Sequence, residues 1–204
     1  MRIKLKKYYI KNLLDKYENI IERCHLIEKV SKEMDFIPET KLTINDPFII
    51  YEQNLINKKS FRSLSNFNKK KLLLSFAHNL DLLNKKRFVH GDLNITNIIY
   101  DGNKLNLIDL EPSFKQIKFN KRVTMSYAIS KSLNDLKYKT ISSETDKIGF
   151  FLICKDLLEI PFLKGNIRDV IKKRKNGYNF LPIKECKFIT FKFSEIYQLV
   201  TEGG

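Results

Sequence analysis

The sequence is poor in several residues on which common folds and metal sites depend. It has no tryptophan, and its 7 glycines include none before Gly91. The 3 cysteines, at positions 24, 154 and 186, are far apart and form no Cys-x-x-Cys pair. Both the odd number and the spacing argue against a disulfide framework or a zinc site, and we expect buried thiols.

Long apolar stretches are also missing. The sequence contains no run of roughly eighteen apolar residues, which is the length that a transmembrane helix needs. The first residues, MRIKLKKYY, lack the apolar segment and the cleavage site of a signal peptide. We therefore expect a cytoplasmic protein, either free or peripheral to the inner membrane surface.

Positive charge, in contrast, is abundant. The chain has 38 Lys and Arg residues against 23 Asp and Glu residues, which gives a formal net charge of +15. Such an excess favours anionic partners, among them nucleotides, phospholipids, glycolipids and RNA, without choosing between them. It is equally compatible with a biased composition in which lysine mainly maintains solubility.

The apolar pattern of the first part of the chain predicts strands around one helix. Residues 1–11 alternate basic and apolar side chains, as an exposed strand does. Apolar residues then recur at intervals of three and four up to Met34, which predicts an amphipathic helix. Residues 40–44 and 48–52 predict two strands of a hairpin, because turn-forming residues lie between them.

The second part of the chain is predicted to be mainly helical. Residues 65–86 place apolar side chains on one face, and residues 146–159 are apolar on nearly every side, which indicates a central helix. Between these helices, residues 97–100 and 105–109 predict a short hairpin joined by an Asp-Gly-Asn turn. Residues 188–193 alternate like a strand in a region otherwise expected to be helical. The sequence thus predicts an α+β protein, with a strand-rich part at residues 1–56 and a mainly helical part at residues 57–204.

Three polar side chains stand out in the segment of residues 88–113. Asp92 and Asn97 lie in a loop, and Asp109 ends the hairpin that follows it. Phosphoryl transfer from ATP needs a carboxylate that orients the attacking hydroxyl and oxygen ligands that hold Mg²⁺ against the phosphates. A loop followed by a hairpin can supply both. The alternative interpretation is a hairpin whose Asp and Asn residues only form turns.

This segment resembles the catalytic loop and metal-binding strand of the protein-kinase-like superfamily, whose pattern is His-x-Asp-x-x-x-x-Asn followed by a strand that ends in Asp. The resemblance implies a two-lobed fold with a reduced N-terminal β lobe and a mainly helical C-terminal lobe, with ATP and Mg²⁺ as cofactors. It also implies that Asp92 is the catalytic base and that Asn97 and Asp109 bind the metal ion. His90 would be structural.

The resemblance extends to both sides of the segment. Residues 47–55 are similar to the strand and hinge between the lobes, which implies that backbone groups near Glu52, Gln53 and Asn54 hold the adenine. Residues 143–158 are similar to the buried helix of the family that begins with an aspartate. By that similarity, Asp146 caps the backbone of the catalytic loop and does not touch substrate.

The chain departs from the family at the phosphate-binding parts. No glycine-rich loop precedes the first strand, because the first glycine is Gly91. The ion pair between a strand lysine and a helix glutamate is expected to use Glu22, with Lys6 favoured over Lys4 and Lys11 as its partner.

The metal-binding motif also differs. The usual Asp-Phe-Gly is replaced by Asp109-Leu110-Glu111, in which Glu111 adds a carboxylate that can reach a metal ion.

His90-Gly91-Asp92 resembles the His-Gly-Asp subgroup of the superfamily, which includes lipopolysaccharide and Kdo-type kinases, aminoglycoside phosphotransferases and the small kinase of the tRNA-modification complex. This implies transfer of the ATP γ-phosphate to a hydroxyl acceptor, for which we favour a sugar or glycolipid that can be anionic. Two alternatives stay open. One is a pseudokinase-like scaffold that binds nucleotide, and the other is a basic Ser/Thr kinase associated with a protein or RNA complex.

Overall fold

The computed structural model describes residues 4–10, 20–91, 93–110, 143–160, 188 and 190–202. These residues form a mixed α+β structure with a three-stranded antiparallel sheet, a separate two-stranded hairpin and four α-helices. The α+β class predicted from the sequence is therefore confirmed.

The three-stranded sheet contains β1 (Lys4–Ile10), β2 (Thr40–Asn45) and β3 (Phe48–Asn54). Its order is β1-β3-β2, so β3 is the central strand and pairs antiparallel with both neighbours. The strands predicted around residues 1–11, 40–44 and 48–52 are confirmed. β3 extends two residues further than predicted, and this extension bears on the candidate site.

Helix α1 (Ile20–Glu33) packs against β2 through apolar and polar contacts. Ile27 and Val30 are fully buried, as the three-and-four spacing predicts. A carboxylate oxygen of Glu28 accepts a hydrogen bond of 2.7 Å from the backbone N–H of Leu42. The predicted helical residues before Ile20 lie outside the described part of the chain.

Helices α2 (Asn66–Lys85), α3 (Ser143–Leu157) and α4 (Phe193–Glu202) form the second part. Ser65 caps α2 by accepting a hydrogen bond from the backbone N–H of Asn68 at 3.3 Å. The apolar face predicted for residues 65–86 is buried, and its buried apolar residues are Leu73, Phe76, Ala77, Leu80 and Leu83.

A chain of four buried aromatic rings joins the two parts of the molecule. Phe36, just after α1, packs edge-on against Phe76 of α2, with ring centres 5.8 Å apart. Phe76 in turn contacts Phe150 of α3 at 6.4 Å, and Phe150 contacts Phe193 of α4 at 5.6 Å. The core is therefore continuous between the predicted segments 1–56 and 57–204.

The short hairpin consists of β4 (Ile98–Tyr100) and β5 (Leu105–Leu107), and one turn of 3₁₀-helix, Ile95–Asn97, precedes it. The backbone N–H of Leu107 donates to the carbonyl oxygen of Phe36 at 2.8 Å. The hairpin is thus attached to the segment that follows α1.

The described residues of the segment 188–193, which alternates like a strand, do not form a strand. Phe188 and Thr190 lie in 3₁₀ conformation, and α4 begins at Phe193. Asp81 of α2 causes this start, because its carboxylate accepts hydrogen bonds from the backbone N–H groups of Phe193 and Ser194, at 2.6 and 3.2 Å. In the described ranges, no helix is both long enough and apolar enough to cross a membrane.

The structure predicts inert thiols at Cys24 and Cys154, which are 2% and 0% exposed. Burial, with a smaller contribution from Glu28, raises the pKa of Cys24 to about 12, and burial also raises the pKa of Cys154. In a Cys186→Ser variant, we expect neither thiol to react with a disulfide reagent in native buffer at mildly alkaline pH. Both should react once urea unfolds the protein. Rapid reaction of one full equivalent in native buffer would contradict the burial.

Candidate functional site

The loop of residues 90–97 is held by Asp146 from α3. One carboxylate oxygen of Asp146 accepts a hydrogen bond from the backbone N–H of His90 at 2.6 Å, and the other accepts one from Gly91 at 2.8 Å. Burial raises the pKa of Asp146, while His90, Arg23 and the two N–H donors act in the opposite direction. The expectation that Asp146 caps the backbone of this loop is confirmed.

His90 connects the 90–97 loop to the end of the hairpin. Its ring nitrogen Nε2 lies 2.9 Å from the carbonyl oxygen of Ile108, and the side chain is 1% exposed. Ile108 immediately precedes Asp109. His90 therefore occupies the structural position predicted for it, beneath the loop.

Asn97 and Asp109 lie at the same end of the hairpin. The register pairs Ile98 with Leu107, and beyond that pair the N–H of Ile108 donates to the carbonyl oxygen of Asn97 at 2.9 Å. Asp109 follows with a φ of 57°, a left-handed conformation that is uncommon for residues with a side chain. Backbone strain of this kind is concentrated at functional sites.

Lys7 of β1 contacts Asp109 across the molecule. Its ammonium nitrogen lies 2.9 Å from Oδ1 of Asp109, and the two side chains are 29% and 34% exposed. The ammonium is also 5.8 Å from the centre of the Tyr51 ring, and Tyr51 is the residue opposite Lys7 in β3. The arrangement combines a carboxylate, a nearby amide side chain and an ammonium group, which suits the binding of a cation together with an anionic phosphate.

The structure pairs Lys6 with a different carboxylate from the predicted Glu22. Lys6 lies on the opposite face of β1 from Lys7 and pairs with Glu52 across the sheet, with 3.4 Å between Nζ and Oε1. Glu22 is exposed on α1 and forms no ion pair with any residue that the structure describes. The cause is the twofold alternation of a strand, in which neighbouring residues face opposite sides. Lys4 shares the exposed face of Lys6, and Lys11 lies outside the described residues.

The residues predicted to hold the adenine, Glu52, Gln53 and Asn54, have backbone groups that pair with neighbouring chain segments. All three residues lie inside β3. Glu52 and Gln53 are paired with β1 on one side and β2 on the other, and the N–H of Asn54 donates to Glu39 at 3.0 Å. Because these ladders already use the backbone groups, a base would have to bind to the chain beyond β3.

Arg23 of α1 is a site residue that the sequence reasoning missed. Its guanidinium lies over the Phe88 ring, 4.3 Å from the ring centre, and donates to the carbonyl oxygen of Val89. Burial lowers the pKa of Arg23 to about 10, opposed by the negative charge of Asp146, so the side chain stays cationic at neutral pH. Arg23 lies three residues after Ile20 and four before Ile27, on the apolar stripe of α1. This spacing was the sequence feature that could have indicated its inward position.

Two predicted site residues, Asp92 and Glu111, lie outside the described residues. Their roles as catalytic base and metal ligand therefore stay predictions. Within the part that the structure describes, no cluster of three His, Cys, Asp or Glu side chains could hold a metal ion. Asp109 and Asn97 are the described candidates.

No protein-family model matches the sequence, and no curated protein matches it either.

The site makes the Asp146 carboxylate essential for the stability of the loop. In an Asp146→Asn variant, the single side-chain oxygen can accept a hydrogen bond from only one of the two backbone N–H groups. The side chain also carries no charge beside Arg23. We expect a loss of about 1–3 kcal/mol in the free energy of unfolding, measured by urea denaturation. The control is Asp35→Asn, because the Asp35 side chain is 80% exposed in its pair with Lys104 and should matter little. Equal effects of the two substitutions would contradict the capping role.

Helix α3 also approaches the loop at Gly149, where a Cβ atom would overlap the carbonyl oxygen of Leu93. A Gly-to-Ala change inside a helix normally stabilises by about 0.5–1 kcal/mol. Here we expect Gly149→Ala to destabilise by about 1–3 kcal/mol, because the loop or the helix has to move. Ser75→Ala, at an exposed position of α2, is the matched control and should be neutral or stabilising. A stabilised Gly149→Ala protein would show that the close approach does not exist.

Proposed function

We propose that this protein is an ATP-dependent phosphotransferase with a two-lobed, protein-kinase-like fold, which transfers the γ-phosphate to a hydroxyl group of a sugar or glycolipid. The observation that carries the proposal is the contact of Lys7 with Asp109, at 2.9 Å. This contact places the ammonium group of Lys7, on the sheet, beside the carboxylate of Asp109, at the end of the hairpin and next to Asn97. Phosphoryl transfer depends on such positioned charges more than on covalent chemistry.

The order of the parts supports the same proposal. A sheet with the order β1-β3-β2 and helix α1 precede the long helix α2, the 90–97 loop and the hairpin, and α3 then holds the loop through Asp146. The resemblance of the sequence to the superfamily implies this succession. In the proposal, residues 1–56 are the reduced N-terminal lobe and residues 57–204 are the C-terminal lobe.

The described residues fit a magnesium ion. Mg²⁺ is usually held by one or two carboxylates together with substrate phosphates. Asp109 presents one oxygen to Lys7, and its other oxygen makes no hydrogen bond within the part that the structure describes. Asp109 and Asn97 would hold the ion, and Glu111 is a further candidate. The ion would neutralise charge on the phosphates.

The other roles fall to residues of the chain itself. The Lys7 ammonium would hold Asp109 in place and attract a phosphate oxygen, which matters because residues 1–90 contain no glycine that could form a phosphate-binding loop. Asp146 and His90 would fix the loop on which Asp92 accepts the proton of the acceptor hydroxyl.

Lys7 and Lys6 provide a matched pair of variants, because they are adjacent and face opposite sides of β1. We expect Lys7→Met to lower ATP consumption by about 10²–10³-fold, as loss of a charge-stabilising group does. Lys6→Met should keep the wild-type rate within about twofold, because its pair with Glu52 is exposed. The measurement is ADP release with Mg²⁺ and a host extract as the source of acceptor. Wild-type turnover in Lys7→Met would refute the proposal.

A pseudokinase-like scaffold is the second candidate, and the absence of glycine before Gly91 favours it. Thermal unfolding with and without magnesium-ATP separates the two. A rise in unfolding temperature without ADP release would support the scaffold, whereas a rise together with turnover that Asp109→Asn abolishes would support the enzyme.

A further inference from the structure

A cavity of about 410 Å³ lies beside the 90–97 loop. One wall is the chain that follows β3, residues 58–62, and the other is the segment from the 3₁₀ turn through the hairpin, with Leu157 of α3. Its size is within the range of sites that bind small molecules.

The lining of this cavity is amphipathic and positively charged. Lys58, Lys59 and Arg62 line it, and no acidic residue among those that the structure describes does. Arg62 has only a loose contact with a carboxylate, 4.0 Å from Asp156. The remaining walls are mainly apolar, and they include the Phe61 and Tyr100 rings, which meet edge to face at 5.9 Å. A ligand that fits both features has an apolar or ring-shaped body and an anionic group.

The cavity is also connected to the candidate metal ligand. Thr96 lines the cavity, and its hydroxyl lies 3.4 Å from the amide oxygen of Asn97. Ile98, the residue after Asn97, lines it as well. A molecule bound here would therefore lie next to the residues at which phosphoryl transfer is proposed.

We propose that this cavity is the acceptor site and that the acceptor carries a phosphate group. In this arrangement Lys58, Lys59 and Arg62 bind the phosphate of the acceptor, while its body packs on the apolar walls. The inference rests on the proposed function and deepens it, because it makes the acceptor an amphiphilic phosphomonoester.

The binding test uses 1-naphthyl phosphate as the probe, with 1-naphthol and inorganic phosphate as its two halves. Its fluorescence can be followed directly because the protein has no tryptophan. We expect the probe to bind more tightly than either half. A triple variant, Lys58→Gln, Lys59→Gln and Arg62→Gln, should bind it at least about tenfold more weakly. The control triple variant, Lys70→Gln, Lys71→Gln and Lys85→Gln, removes the same charge from the exposed side of α2 and should bind within about twofold of wild type.

The transfer test uses labelled ATP and a host extract. The cavity triple variant should lose transfer to the extract and keep its ATP binding, and the control triple variant should keep both. Equal weakening of probe binding by both triple variants would overturn the inference, because it would show attraction to the overall charge only. Wild-type transfer by the cavity triple variant would overturn the inference and leave the proposed function intact. No transfer by the wild type, with the probe still bound, would instead refute the proposed function and with it the acceptor role.

Discussion

The arrangement of the candidate site depends on one buried carboxylate. Asp146 is 5% exposed, so its charge has to be balanced inside the protein, and the N–H groups of His90 and Gly91 supply that balance together with the nearby Arg23. These partners come from α1 and the 90–97 loop, while Asp146 itself belongs to α3. The carboxylate therefore fixes α1, the 90–97 loop and α3 relative to one another. His90 also connects the loop to the hairpin, because its ring contacts the carbonyl oxygen of Ile108.

Most of the secondary structure could be predicted, because it depends on local patterns that tertiary contacts reinforce. The apolar face of α2 and its Ser65 cap are both legible in sequence, and both are present. The residues of the candidate site were harder to predict from the sequence than the secondary structure. Lys6 was favoured over Lys4 and Lys11, and nothing was predicted for Lys7, although neighbouring residues of a strand face opposite sides. Leu5 lies on the same, less exposed face of β1 as Lys7, so the alternation of side chains was the sequence feature that distinguishes Lys7 from Lys6.

Other features that the sequence did not reveal concern contacts between residues far apart in sequence. Asp81 starts α4 from a distance of 112 positions, so the alternating pattern before Phe193 could not reveal a helix start. The end of β3 is set by pairing with strands on both sides, and the strand therefore includes the residues predicted to hold the adenine. In both cases the partner determines the conformation, and a propensity scale contains no information about the partner.

The position of charge, and not its amount, makes the basic composition informative. A net charge of +15 is compatible with many anionic partners and even with none, since exposed lysines also maintain solubility. Lys7 differs from that background because it is half-buried against Asp109. Lys58, Lys59 and Arg62 differ because they share one cavity whose other described lining residues include no acid and are mainly apolar. Partial burial of Lys7 weakens the screening of its charge by salt and water, whereas Lys58, Lys59 and Arg62 are exposed and act through their clustering at one cavity. In the proposal, it is these positioned cations that attract phosphate.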